Sequence, residues 1–77
     1  MYLNIITPDT TIYSGEATLV QLPGTDGLFE ILTRHAPMIA ALGKGNIKAE
    51  INGKNDFFEI NGGIVQVLND QITVLAE

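Results

Sequence analysis

The sequence predicts an all-β domain, an antiparallel β-sandwich of about eight to ten short strands, on three observations. Apolar residues alternate in twos along most of the chain. Clusters of Gly, Pro, Asn and Asp punctuate the alternation at roughly ten-residue intervals. No segment is long and 3.6-periodic enough for a helix; the one candidate, Ala36 to Leu42, is held to about a turn by Pro37 and Gly43.

The first strand runs from Tyr2 to Thr7 with Leu3 and Ile5 on one face, and the Thr7-Pro8-Asp9-Thr10 cluster turns the chain. Ile12 to Leu22 follows as a β-branched run in which Val20 and Leu22 share a face and Leu19 lies opposite. Ser14-Gly15 interrupts it; a glycine inside a strand marks a bulge or a close backbone approach, and a bulge is the expectation here. After the Pro23 to Gly27 turn, Leu28 to Leu32 sets Phe29 and Ile31 against Leu28, Glu30 and Leu32, and Pro37 opens an extended stretch through Leu42. Asn46 to Ile51 alternates Ile47, Ala49 and Ile51 with Asn46, Lys48 and Glu50, as a strand with one solvated face does. Asn52-Gly53 predicts a type I′ hairpin turn, which needs φ > 0 at both central residues. Asp56 to Ile60 returns, Asn61-Gly62-Gly63 turns again, and Ile64 to Leu68, Asn69-Asp70 and Gln71 to Ala76 complete the chain.

The 77 residues make one domain, 1–77, with a core small enough that a covering partner is the natural source of added stability. Cysteine is absent, which removes disulfides and the usual reason to expect a secreted mini-protein. A net charge of −5, with only Arg34, Lys44, Lys48 and Lys54 positive, leaves no basic stripe for nucleic acid or anionic lipid. No apolar run reaches membrane-spanning length, and no signal-peptide pattern opens the chain, so it reads as cytoplasmic.

Leu22 to Pro37 holds two of the three prolines, two of the eight glycines, the only histidine and the only arginine. Proline fixes φ and glycine permits φ > 0, so this stretch is expected to hold its side chains in a set display. Ile6, Leu19, Leu28, Leu32, Met38 or Ile39, and Phe57 or Phe58 remain once the inward positions are assigned; if contiguous, they form a patch of the kind that marks a protein interface.

Catalysis has little to stand on. Ser14, His35 and Asp26 can be written as a triad, but their spacing does not support one. Asp9, Asp26 and Glu30 are more simply solvated turn and strand carboxylates than a cation site, and one histidine without cysteine makes no zinc site. Gly24-Thr25-Asp26-Gly27 opens a strand, whereas a phosphate cradle needs a helix behind it. No catalytic residue, cofactor or metal is assigned. One alternative of another class is a small β carrier or ligand-binding domain of the lipoyl or biotinyl kind, presenting Lys44 or Lys54 at a hairpin. Neither lysine has the acidic or methionine neighbour of such a site.

Leu22-Pro23-Gly24-Thr25-Asp26-Gly27-Leu28-Phe29, then His35-Ala36-Pro37-Met38-Ile39, Gly62-Gly63-Ile64-Val65-Gln66-Val67 and Thr73-Val74-Leu75-Ala76-Glu77 occur in that order, preceded by Tyr13-Ser14-Gly15-Glu16. This series resembles the N-terminal domain of the F-type ATP synthase epsilon subunit over essentially the whole chain. The resemblance implies a non-catalytic rotor subunit at the foot of the central stalk, peripheral on the cytoplasmic face of the bacterial membrane and not an obligate homo-oligomer. It would bind the gamma subunit and the c-ring and help ion-driven rotation reach the catalytic head. By position, the resemblance places the c-ring contact at Asp26, Gly27, Leu28, Glu30 and Arg34, and the gamma contact at His35, Met38, Ala40 and Leu42. Met38→Asp is then expected to weaken gamma binding with the domain still folded.

The sequence departs from the family pattern in three places: Leu28 stands where an acid is common, Glu30 replaces a usual glycine, and Thr33-Arg34 replaces a usual Pro-Gly. An electrostatic ring contact would shift its carboxylate to Asp26 or Glu30, and Arg34 adds a charge that could pair with a ring-loop acid. Family members usually continue into a two-helix domain, so the expectation for this chain is a short form, or part of a longer one, without hairpin-based inhibition or nucleotide binding.

Overall fold

In the computed structural model, which describes residues 1–77, the alternating runs become nine strands and no helix. They are β1 (Tyr2–Ile6), β2 (Thr11–Glu16), β3 (Leu19–Gly24), β4 (Gly27–Leu32), β5 (Met38–Leu42), β6 (Gly45–Ile51), β7 (Lys54–Ile60), β8 (Gly63–Leu68) and β9 (Gln71–Ala76). Hydrogen bonding orders them β2-β1-β9-β8-β5 and β4-β3-β6-β7. The two sets are joined at one corner by the single pair Gly24↔Leu42. These are the two layers of a sandwich.

The inward positions of both layers meet in one apolar cluster. Leu3, Ile5, Leu42, Val65, Val67, Ile72, Val74 and Ala76 come from the first layer, and Val20, Leu22, Ile31, Ile47, Ala49 and Ile60 from the second. No polar or charged side chain is buried. The period-2 pattern therefore does its expected work: each strand gives alternate residues to the cluster and the others to the outside.

Four features differ from the expectation. The helical turn allowed at Ala36 to Leu42 does not form; Pro37 opens only the extended stretch also expected there, as β5 paired with β8. The run from Ile12 to Leu22 breaks at Ala17-Thr18, where the chain passes from one layer to the other. The bulge is not at Ser14-Gly15 but at Ile12, which the β1–β2 register skips between Ile5↔Tyr13 and Ile6↔Thr11. Gly15 instead serves a close approach: the Tyr13 ring lies across it, and a β-carbon there would meet the phenol oxygen at 2.6 Å. That ring packs on Phe58 with centroids 5.3 Å apart, and its hydroxyl donates to the Glu16 carbonyl at 3.1 Å. The fourth difference is that β1 and β9 run parallel. A parallel pair needs a long crossover, and the whole domain between the two strands supplies it.

The Asn52-Gly53 turn closes between Ile51 and Lys54 with φ of 53° and 78°, as a type I′ turn requires. Asn69 and Asp70 make a second turn of the same kind, with φ of 52° and 61°, between Leu68 and Gln71. The β3–β4 hairpin turns at Thr25-Asp26, with the positive φ displaced onto Gly27 at 126°. Pro23 sits in β3 at no cost to the ladder, because β6 pairs with β3 only from Leu19 to Gln21 and β5 only at Gly24.

Candidate protein-docking surfaces

The outer faces of the two layers carry separate apolar patches. On the first layer, the registers place Ala41 beside Ile64, Ile64 beside Leu75, and Leu75 beside Ile6. Ile64 is 50% and Leu75 53% exposed, and beyond Ile6 the exposed Ile12 lies in the bulge next to Thr11. At about 4.8 Å per strand, this apolar row crosses four strands over some 15 Å. The next row, Ile39, Gln66, Thr73, Asn4 and Ser14, is polar except for Ile39.

On the second layer, Leu28 stands beside Pro23 and Leu32 beside Leu19, with the Glu30–Gln21 pair between them. Leu28 is 67% exposed, and the Gln21 amide donates to Glu30 Oε2 at 3.4 Å. Phe57 extends this face beyond Lys48, whereas Phe58 turns inward. Of the apolar positions left over in the sequence, Leu19, Leu28, Leu32 and Phe57 thus gather on the second layer, and Ile6 joins the first. Ile64 and Leu75 had no place in that set. The Asn69-Asp70 turn pairs Leu68 with Gln71, and counting back from it sets Ile64 against Leu75, so the signal was present in the turn.

The residues assigned to the ring contact are all accessible: Asp26, Gly27, Leu28 and Glu30 form the tip and outer edge of the β3–β4 hairpin, and Arg34 lies in the Thr33–Pro37 connection that follows. The residues assigned to gamma are mixed. His35 is half-buried, and its Nδ1 contacts the Ala36 carbonyl at 2.7 Å. Met38 and Ala40 share a side, as the alternation predicts, but that side faces inward; both are partly buried against the core. They reach solvent along a shallow cleft of about 390 Å³ between β5 and the Gly24–Gly27 turn. Leu42 is 4% exposed and belongs to the core, so its side chain is not offered to a partner. Ile39, at 73%, is the large outward residue of β5, with the smaller Ala41 on the same side. Met38→Asp would therefore put a charge against the core and disturb the fold itself, which corrects the expectation that the variant stays folded.

The Ser14 hydroxyl bonds to the Tyr2 phenol and His35 to its neighbouring carbonyl, so the two do not engage each other. No three of His, Cys, Asp and Glu come together as metal ligands. Lys54 is already in β7 rather than at its turn, and Lys44 follows Gly43 in the β5–β6 connection.

Arg34 occupies the left-handed region with φ of 66°. That conformation costs a non-glycine residue roughly 1–2 kcal/mol, while glycine loses about 0.4–1 kcal/mol through the freedom it adds to the unfolded chain. Arg34→Gly is therefore expected to stabilise the domain by about 0.5 kcal/mol, raising Tm by roughly 2–4 °C in a thermal melt. An unchanged or lowered Tm would show that the guanidinium contributes more than its backbone costs.

The model of the ATP synthase delta/epsilon chain β-sandwich domain matches residues 1–77, the whole chain. The chain belongs to that family. The ATP synthase epsilon chain of Chlorobium limicola is 42% identical over 76 residues, covering 97% of this chain and 86% of that one. The epsilon chain of Lawsonia intracellularis is also 42% identical, over all 77 residues, but this chain spans only 58% of its length. Among solved structures, a chain of the Euglena gracilis mitochondrial ATP synthase superposes with a TM-score of 0.89 at 22% identity, covering 96% of this chain and 48% of that one. A chain from the central stalk and c-ring assembly of Tetrahymena thermophila mitochondrial ATP synthase gives 0.75 at 18%, covering 96% and 62%. At such identities the two structures speak for the fold alone. The family match displaces the lipoyl or biotinyl carrier reading.

Proposed function

We propose that this delta/epsilon-family domain is a non-catalytic coupling element of an ATP synthase rotor, binding the gamma subunit on one side and the c-ring on the other. It would lie at the cytoplasmic face of the membrane as a peripheral component, where ion-driven ring rotation is passed to gamma and so to ATP synthesis. The observation that carries this reading is the pair of apolar patches on opposite outer faces of one sandwich. A domain with one partner needs one such face; a joint between two bodies needs two.

The size of the domain fits two such faces. A specific interface covers about 800 Å² on each partner. Two of them would cover about a third of the 4643 Å² surface, which suits a small domain whose own core is limited. The hairpin edge, with Asp26 and Glu30 around Leu28, is the face we assign to the ring; its acids suit a polar or basic loop. The outer face of the first layer, with Ile39 and Ala41 on β5 and with His35 and the cleft edge of Met38 and Ala40 at its border, is the face we assign to gamma. Ile39 replaces Leu42 in that set because only Ile39 presents its side chain.

Hydrogen exchange with and without gamma tests the reading directly. Amides of β5 and β8 should gain protection, and the complex should co-elute on a sizing column; an unprotected domain eluting alone would sink it. Ile39→Asp should leave the melting curve of the isolated domain within about 2 °C of native. The same change should weaken gamma binding by about 1–3 kcal/mol, as loss of an anchor in an interface does. Unchanged affinity would remove the β5 border from the gamma face.

A further inference from the structure

The Thr33–Pro37 connection belongs to neither layer, yet it carries Arg34 and His35 between the two proposed docking faces. Its internal order is slight: the His35 amide closes a turn on the Leu32 carbonyl at 3.2 Å, and the His35 ring contacts the adjacent Ala36 carbonyl. One hydrogen bond reaches it from another element. The Arg34 amide donates to Asp70 Oδ1 at 3.0 Å, across a separation of 36 residues.

Asp70 is well placed to hold it. It sits in the tight β8–β9 turn at φ of 61°, and its own carbonyl accepts the Tyr2 amide at 3.1 Å, so its backbone is fixed from both sides. Its second carboxylate oxygen lies 3.7 Å from the Met1 amine. The acceptor therefore stands on a rigid turn, while the donor is the residue whose φ of 66° most needs an external constraint.

We propose that Asp70 is a positioning residue: its carboxylate oxygen fixes the Arg34 peptide and with it the display of the next residue, His35, to gamma, Arg34 itself lying toward the ring side. The part of this that concerns partner binding rests on the coupling function proposed above. The geometry also separates two ways Asp70 could act. If the acceptor oxygen matters, asparagine, which keeps an oxygen and tolerates the left-handed region, replaces it. If the charge beside Met1 matters, asparagine does not.

Amide exchange of the native chain, Asp70→Gly and Asp70→Asn decides it, since glycine keeps the turn and deletes only the side chain. Asp70→Gly is expected to speed exchange at Arg34 about tenfold while Val65 and Val74, in the strands flanking the turn, keep native protection. Asp70→Asn should return Arg34 to within about threefold of native. With gamma added, Kd should rise roughly threefold to tenfold for the glycine variant and recover for asparagine. Unchanged exchange at Arg34, exchange that rises equally at Val65 and Val74, or a glycine variant that binds gamma like native would each overturn the proposal. A native chain that fails to bind gamma overturns the coupling function instead, and the exchange of Arg34 in the free domain still decides the positioning role.

Discussion

Gly63→Ala is expected to be the most damaging single-methyl change in the domain, lowering stability by about 3 kcal/mol or more and Tm by on the order of 12–24 °C. Gly63 opens β8 and is paired on both sides, with Leu42 of β5 and Ala76 of β9. Its φ is 150°, and a β-carbon there would overlap the Leu75 carbonyl oxygen and lie 3.1 Å from the Ala76 α-carbon. Both are backbone atoms of β9, far inside van der Waals contact, so no side-chain rotation relieves them. Relief requires β8 and β9 to part at the place where β5 is also tied in, close to the corner that joins the layers at Gly24↔Leu42.

Gly53→Ala is the control. Its φ is 78°, but nothing lies within 4 Å of the added carbon, so only the left-handed penalty applies, about 1 kcal/mol net. Thermal melts of the two variants separate steric exclusion from backbone preference. Equal losses would show that β8 and β9 relax the clash at Gly63 cheaply and that steric exclusion does not hold that position.

Gly63 also shows where sequence reading stops. The Asn61-Gly62-Gly63 cluster reads as a turn, and so it is, but the reason the last glycine cannot change lies on β9, twelve residues downstream at Leu75. The same limit explains Ser14-Gly15: a glycine in a strand says that something is close or bulged, and only the path of the Tyr13 ring says which. Local pattern was enough for the β6–β7 hairpin of Asn46 to Ile60, where an Asn-Gly turn joins two strands that pair directly across it. It was not enough for the parallel β1–β9 pair, because alternation separates inside from outside without saying which strands share a layer.

The candidate site divides in the same way. Asp26 to Glu30 could be placed on an exposed hairpin because glycine and acid mark its turn. Met38 to Leu42 is apolar at every position, so a period of two gives its sides but not which of them faces the core. The side with Leu42 proved to be the inner one.

Ile64→Asp is the corresponding large effect for binding, and it acts on that outer side. Ile64 lies in the middle of the apolar row, with Ala41 on one flank and Leu75 on the other. Being 50% exposed in the free domain, it can carry a carboxylate into water at little cost to folding. Under gamma the same carboxylate would be desolvated among Ala41, Leu75 and Ile6 with no cation in the row, so binding should fall by about 2–4 kcal/mol, some 30-fold to 1000-fold. Affinity for the c-ring should stay native, since the hairpin edge lies on the other layer. Leu28→Ala should do the reverse, weakening ring binding and sparing gamma. Measuring each variant against each partner gives four numbers. Two separate losses support a joint with independent faces, whereas Ile64→Asp acting on both partners, or on neither, would mean that the first-layer row is not the seat of the gamma contact.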